Sequence, residues 1–224
     1  MNSRQPWLDS LRGLAVVWMV IFHATYDMRM FGLNEIDMNV GFWYAFPRII
    51  AGTFLFCVGI SLNFTHRPEI NWKNLGKRCA TLGTCALIIS VATFFTFRAQ
   101  WIYFGTLHCI LVGSLLGALL VNHRAAALIL MILIIVAQYF LGYDIKWVSS
   151  ITQRHSMDFI PIYPWFWVIL IGILVGPHLE KSTILQKLPP SKFLHLLGRH
   201  SLKIYLLHQP ILFGLIWLYT KAKT

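Results

Sequence analysis

The chain has 224 residues, of which 57% are hydrophobic, 15% aromatic and only 12% charged, whereas a soluble globular domain carries about 25% charged residues. Mean hydropathy is +0.64, and several apolar runs approach the roughly 20 residues that cross a bilayer. Soluble, disordered, collagen-like and disulfide-stapled architectures are excluded, which leaves an integral membrane protein. The formal net charge of +11 does not call for nucleic acid. The basic residues lie mostly in loops beside apolar spans, where they orient the chain and attract anionic headgroups.

The fold expected is all-α and polytopic, a single domain over residues 1–224. Seven helices are read at about 8–30, 45–65, 77–97, 100–121, 125–142, 161–179 and 197–220. The runs are continuous and not alternating, which argues against sheet. The sequence has no internal repeat and no low-complexity tract. Cys57, Cys79, Cys85 and Cys109 form no CxxC pair and fall in or beside apolar segments, so neither a zinc site nor a disulfide framework is expected. The first apolar segment is long and carries Arg12, His23 and Asp27, unlike a cleavable signal.

Lysine and arginine set the expected orientation. Arg67, Lys73, Lys77, Arg78, Arg124, Lys181, Lys187 and Lys192 fall in loops on the same side as Arg4. The opposite side carries Arg29, Arg98, Lys146 and Arg154, diluted by Glu35, Asp37, Asp144 and Asp158. The N-terminus is therefore expected in the cytoplasm and the C-terminus outside.

Charged groups at bilayer depth are costly, which makes each a functional candidate. In the first span, His23 follows Arg12 by eleven positions, about three full turns, so both share one face roughly 16 Å apart. Asp27 comes one turn after His23, at hydrogen-bonding spacing. A carboxylate there fixes the imidazole tautomer and raises its basicity, as a general base requires. The same spacing also suits a structural hydrogen bond with Arg12 reaching to the interface.

The later spans add further polar groups. Arg48 marks the outer end of the second. His108 lies about eight residues into the fourth, roughly 11 Å deep and level with His23. His208 sits nearer mid-membrane in the seventh, in Tyr205-Leu206-Leu207-His208-Gln209-Pro210, where Pro210 frees a carbonyl and predicts a kink. Taken singly, each histidine is more often a satisfied core residue than a catalyst; convergence of three spans at one depth is the stronger sign. Arg12, Lys73, Lys77, Arg78, Arg199 and Lys203 form a cytoplasmic tier. Topology and headgroup contact account for most of it, and a pocket for a polyanionic cofactor is the alternative.

The stretch Trp7-Leu8-Asp9-Ser10-Leu11-Arg12-Gly13-Leu14-Ala15, running on to His23, resembles the opening span of membrane acyltransferases. Phe54-Leu55-Phe56-Cys57-Val58-Gly59-Ile60-Ser61, Phe104-Gly105-Thr106-Leu107-His108, Pro161-Ile162-Tyr163-Pro164-Trp165 and Leu197-Gly198-Arg199-His200-Ser201 through His208 fit as well. Their order over nearly the whole chain resembles a compact bacterial member of the heparan-alpha-glucosaminide N-acetyltransferase-like family. The Arg12-to-His23 spacing is also similar to that of the acyltransferase-3 family.

The resemblance implies an enzyme of the bacterial inner membrane. It would move acetyl from cytoplasmic acetyl-CoA to an amino sugar, glycan or glycolipid on the outer side, with no metal and with a homodimer as a further expectation. Arg12, Lys77, Arg78, Arg199 and Lys203 would hold the CoA phosphates. The acceptor would enter near Asp27, Arg48, Asp158, Trp165 and His208. His23 would deprotonate it or carry the acetyl group, with His108 or backbone donors stabilising the oxyanion. Two readings from other classes stand beside this one. His23, His108, His200 and His208 could supply bis-imidazole ligands to a haem in an electron-transfer protein, and a small-solute transporter would line its path with the same polar groups.

Overall fold

The computed structural model describes residues 5–142, 156–182 and 191–223. Arg4, Asp144, Lys146, Arg154 and Lys187 of the charge argument lie outside the described residues. Within them, all regular structure is helical.

Helix α1 (Pro6–Met30) opens with proline in its first turn, where no helical hydrogen bond is lost, and carries Asp9 against the positive end of the helix dipole. It ends before Gly32, whose φ of 71° needs a residue without a side chain. Helix α2 spans Gly41–His66. Helix α3 (Trp72–Thr96) is capped by the Asn71 side chain, which accepts from the Asn74 amide at 3.0 Å. Helix α4 is Thr106–Leu120. Helix α5 (Arg124–Ile135) runs on into a wider turn, Val136–Phe140, in which the Leu141 amide reaches back five residues to the Val136 carbonyl at 3.1 Å. Helix α6 is Ile162–Glu180, α7 is Lys192–Arg199 and α8 is Ser201–Lys223. Helix α8 is continuous across Pro210.

Five of these helices, α1, α2, α3, α6 and α8, are long and apolar enough to cross a membrane; α4 and α5 with its turn are shorter apolar helices. Two expectations change. The last span is not one helix from about residue 197, because the chain turns at His200 and divides it into α7 and α8. The fourth helix begins at Thr106 and not near residue 100, so His108 sits in its first turn instead of two turns inside.

The helices group into two compact units, residues 55–182 and residues 3–54 with 183–224. In the first unit, α2 and α6 meet backbone to backbone. A Cβ on Gly59 would stand 2.1 Å from the Ile169 carbonyl oxygen, and one on Gly172 would stand 2.5 Å from that of Phe56. One turn along each helix, the Asn63 amide donates to the Ile173 carbonyl at 3.0 Å, and Gly176 makes room for it. Small residues at a four-residue interval let membrane helices approach, and the buried amide adds a directional bond. Gly113 and Gly117 on α4 likewise make room for the side chains of Ile169 and Leu62. Leu55, Ile60, Leu62, Ile169, Leu170 and Ile173 form the buried interior.

In the second unit, the start of α1 packs against α7 through another pair of glycines. A Cβ on Gly13 would stand 1.9 Å from the Leu194 carbonyl oxygen, and one on Gly198 would stand 1.7 Å from that of Asp9. Positions rising along α1 meet positions falling along α7, so these two helices are antiparallel. After the turn at His200, α8 runs parallel to α1. His23 meets His208, Asp27 meets Gln209, and Phe31 meets Phe213 at 5.1 Å. Met19, Phe46 and Ile50 form the buried centre beside Trp18, Phe22, Trp43 and Tyr205.

Candidate active site

The parallel course of α1 and α8 places His23 and Asp27 opposite His208 and Gln209. The two imidazoles meet edge to face, with centroids 4.8 Å apart and planes at 82°. Each is tied to its own helix: His23 Nδ1 lies 2.9 Å from the Met19 carbonyl, and His208 Nδ1 lies 2.8 Å from that of Tyr205 and 3.1 Å from that of Ile204. A carbonyl only accepts, so both Nδ1 atoms carry hydrogen, and both Nε2 atoms present a lone pair.

This differs from the pairing expected within α1. Asp27 turns instead to α8, where its Oδ1 accepts from the Gln209 side chain at 2.8 Å. The orienting contact on His23 is the main-chain carbonyl one turn back. Asp27 is 1% exposed, and its Oδ2 is buried with no hydrogen-bond partner. Gln209 Oε1 and His208 Nε2 are buried and unpartnered too. Each such group costs about 1–3 kcal/mol of stability. Three acceptor atoms left in this condition around His23 make this the candidate site for a ligand that donates hydrogen bonds.

At the other end of α1, Arg12 Nη1 donates to Asp9 Oδ1 at 2.8 Å, and His195 Nδ1 lies 3.9 Å from Asp9 Oδ2. Asp9 is 1% exposed. Arg12 therefore compensates a buried carboxylate, a role the cation tier did not anticipate. Arg199 and Lys203 are exposed on either side of the turn at His200. Arg48 is exposed on α2 with its guanidinium stacked 3.7 Å over the Tyr44 ring.

The remaining candidates belong to the first unit. Lys77 is exposed and Arg78 half-buried on α3, and Trp165 is half-buried on α6. Asp158 caps α4: its Oδ2 accepts from the Thr106 amide at 2.8 Å and its Oδ1 from the Thr106 hydroxyl at 3.0 Å. His108 Nδ1 accepts from the Gly105 amide at 3.1 Å, so Nε2 carries the hydrogen and donates to Ser90 Oγ at 3.3 Å. Ser90 in turn donates to the Ile102 carbonyl at 2.7 Å. Both ring nitrogens of His108 are thus engaged, Nδ1 at the start of α4 and Nε2 by Ser90 on α3.

Two residues now stand out that sequence reasoning gave no role. Gln209 sits beside His208 in a hydrophobic helix, and the rule that flagged the histidine, a polar group inside a span, applied to it equally. Asp9 lies three residues before Arg12, the spacing of helix ion pairs.

A family model described as the catalytic region of heparan-alpha-glucosaminide N-acetyltransferase matches residues 4–210, nearly the whole chain and every residue of the His23–Asp27–His208–Gln209 cluster. The chain belongs to this family. Membership makes it a membrane acyltransferase of the N-acetyltransferase kind, in keeping with its apolar helices. No curated protein and no solved structure matches it.

Proposed function

We propose that the whole chain acts as one acyltransferase domain that moves an acetyl group from cytoplasmic acetyl-CoA to an amino sugar, or to a glycan or glycolipid that carries one, at the outer face of a bacterial plasma membrane. The observation that carries this reading is the acceptor-only cluster: two imidazole Nε2 lone pairs with Asp27 Oδ2 and Gln209 Oε1. The two imidazole lone pairs of this set accept from an amine and hold it for attack. His23 Nε2 takes a proton from the amine as nitrogen bonds to the acetyl carbon. The carbon–sulfur bond then breaks, and the CoA thiolate leaves and recovers that proton. In a two-step variant, Nε2 of His23 itself receives the acetyl group before the amine does.

Arg199 and Lys203 offer exposed cations to the CoA phosphates at the turn where α8 begins. Helix α8 starts at the end of the unit where α1 starts, so the cofactor's phosphates and the histidines are separated along one helix direction. Parallel first and last spans also support an odd number of crossings, as seven spans with a cytoplasmic N-terminus require. The haem reading loses support at its central pair, because rings in contact at 4.8 Å leave no space for a porphyrin between them.

Purified protein incubated with radiolabelled acetyl-CoA and methyl α-glucosaminide tests the proposal. Label on the amine is expected; its absence under conditions where the protein elutes as a single folded species refutes the reading.

A further inference from the structure

We infer that Gln209 positions the acceptor by binding a hydroxyl group that the acceptor carries apart from its reacting amine. This rests on the acetyl-transfer reading above and adds a determinant of selectivity to it. The amide orientation is fixed chemically. A carboxylate only accepts, so the 2.8 Å contact with Asp27 Oδ1 must come from Gln209 nitrogen, and the amide oxygen points elsewhere. That oxygen is buried without a partner, as is Asp27 Oδ2. The Asp27–Gln209 pair therefore offers two further acceptor atoms on side chains already held together.

Their place relative to the imidazoles gives the ligand its shape. Asp27 follows His23 by four residues, a rise of about 6 Å along α1. An amino sugar with its nitrogen at the His23 and His208 Nε2 atoms would present a ring hydroxyl to Gln209 Oε1 and Asp27 Oδ2. A plain alkyl amine would fill only the imidazole end and leave both oxygens unsatisfied, the circumstance in which polar sites discriminate most strongly. Gln209 acts here as a positioning residue, since it touches the acceptor away from the bond being made.

The test compares methyl α-glucosaminide with cyclohexylamine as acceptors for the wild-type protein, Gln209→Leu and Gln209→Asn. The wild type is expected to prefer the sugar. Gln209→Leu should lower kcat/KM for the sugar on the order of tenfold more than it lowers kcat/KM for cyclohexylamine, mostly through KM, while the KM for acetyl-CoA stays within about twofold. Gln209→Asn, which retains the amide but shortens the reach, should fall the same way by less. Equal losses for both amines in either folded variant would mean a structural role and overturn the inference, as would a wild type with no preference between them. A wild type that acetylates neither amine overturns the acetyl-transfer reading and this inference with it.

Discussion

His23 on α1 and His208 on α8 stand edge to face at 4.8 Å, each with its Nδ1 hydrogen bonded to a carbonyl of its own helix. Two residues that are 185 positions apart in the chain thereby bring together two basic nitrogens of the same tautomer.

Replacing His23 with alanine should lower acetyl transfer by about 10²–10⁴-fold, the contribution of a positioned general base. Monodisperse elution in detergent and acetyl-CoA affinity should be unchanged, because the ring's hydrogen bond is to its own helix. The base works only when neutral, so the wild-type rate should rise with pH as the imidazole loses its proton and fall as pH drops. A folded His23→Ala protein with wild-type turnover would remove His23 from the mechanism.

The α1–α7 junction should be intolerant of a single methyl group. Gly198→Ala would drive its Cβ to 1.7 Å from the Asp9 carbonyl oxygen, and overpacking of this kind costs about 1–3 kcal/mol. Gly214→Ala on α8 is the internal control, since nothing lies within 4 Å of its added Cβ. Replacing glycine within a helix there should be neutral or stabilise by up to about 1 kcal/mol. Thermal unfolding in detergent should separate the two variants in opposite directions.

Asp158 should behave as a cap. Asp158→Ala removes the acceptor of the Thr106 amide and hydroxyl and should cost about 0.5–2 kcal/mol. Asp158→Asn, which keeps one acceptor oxygen, should cost less. The KM for the acceptor should not change in either. An increase in that KM without loss of thermal stability would return Asp158 to the acceptor site.

The two chain ends should lie on opposite sides of the membrane, as parallel α1 and α8 require of first and last spans. Reporter fusions at the N- and C-termini that report the same compartment would contradict an odd number of crossings and the orientation read from the basic loops.

Apolar run length was sufficient to foresee helices in all seven regions, because the cost of unpaired backbone in hydrocarbon leaves so few alternatives. His23, Asp27 and His208 were also visible, as polar groups where polar groups are costly. Their pairing was not. Helical spacing counts neighbours on one helix, and it put Asp27 on His23. It is blind to a second helix arriving alongside, and Gln209 on α8 is the partner that Asp27 takes. The same blindness hid the cap on α4, where Asp158 reaches a helix start 52 positions earlier. It also displaced His108, whose helix begins at Thr106 because Asp158 and Gly105 fix that point. Arg12 presents the reverse case. Its partner Asp9 was in plain view at a spacing of three, and a cation's proximity to loops suggested phosphate instead.

The backbone anchoring of the two imidazoles has a genetic corollary. In many hydrolytic and transfer sites a neighbouring carboxylate holds the histidine, and a mutation can take that carboxylate away. Here the Met19 and Tyr205 contacts come from peptide carbonyls, which every amino acid possesses. No codon change at either position deletes the hydrogen-bond acceptor. Loss of these hydrogen bonds requires bending or rotating α1 or α8, or re-aiming a ring through neighbours such as Phe22 and Tyr205. Inactivating substitutions that spare the four cluster residues should therefore concentrate where the helices are clamped together, at glycines such as Gly13 and Gly198, many residues away from any atom that reacts.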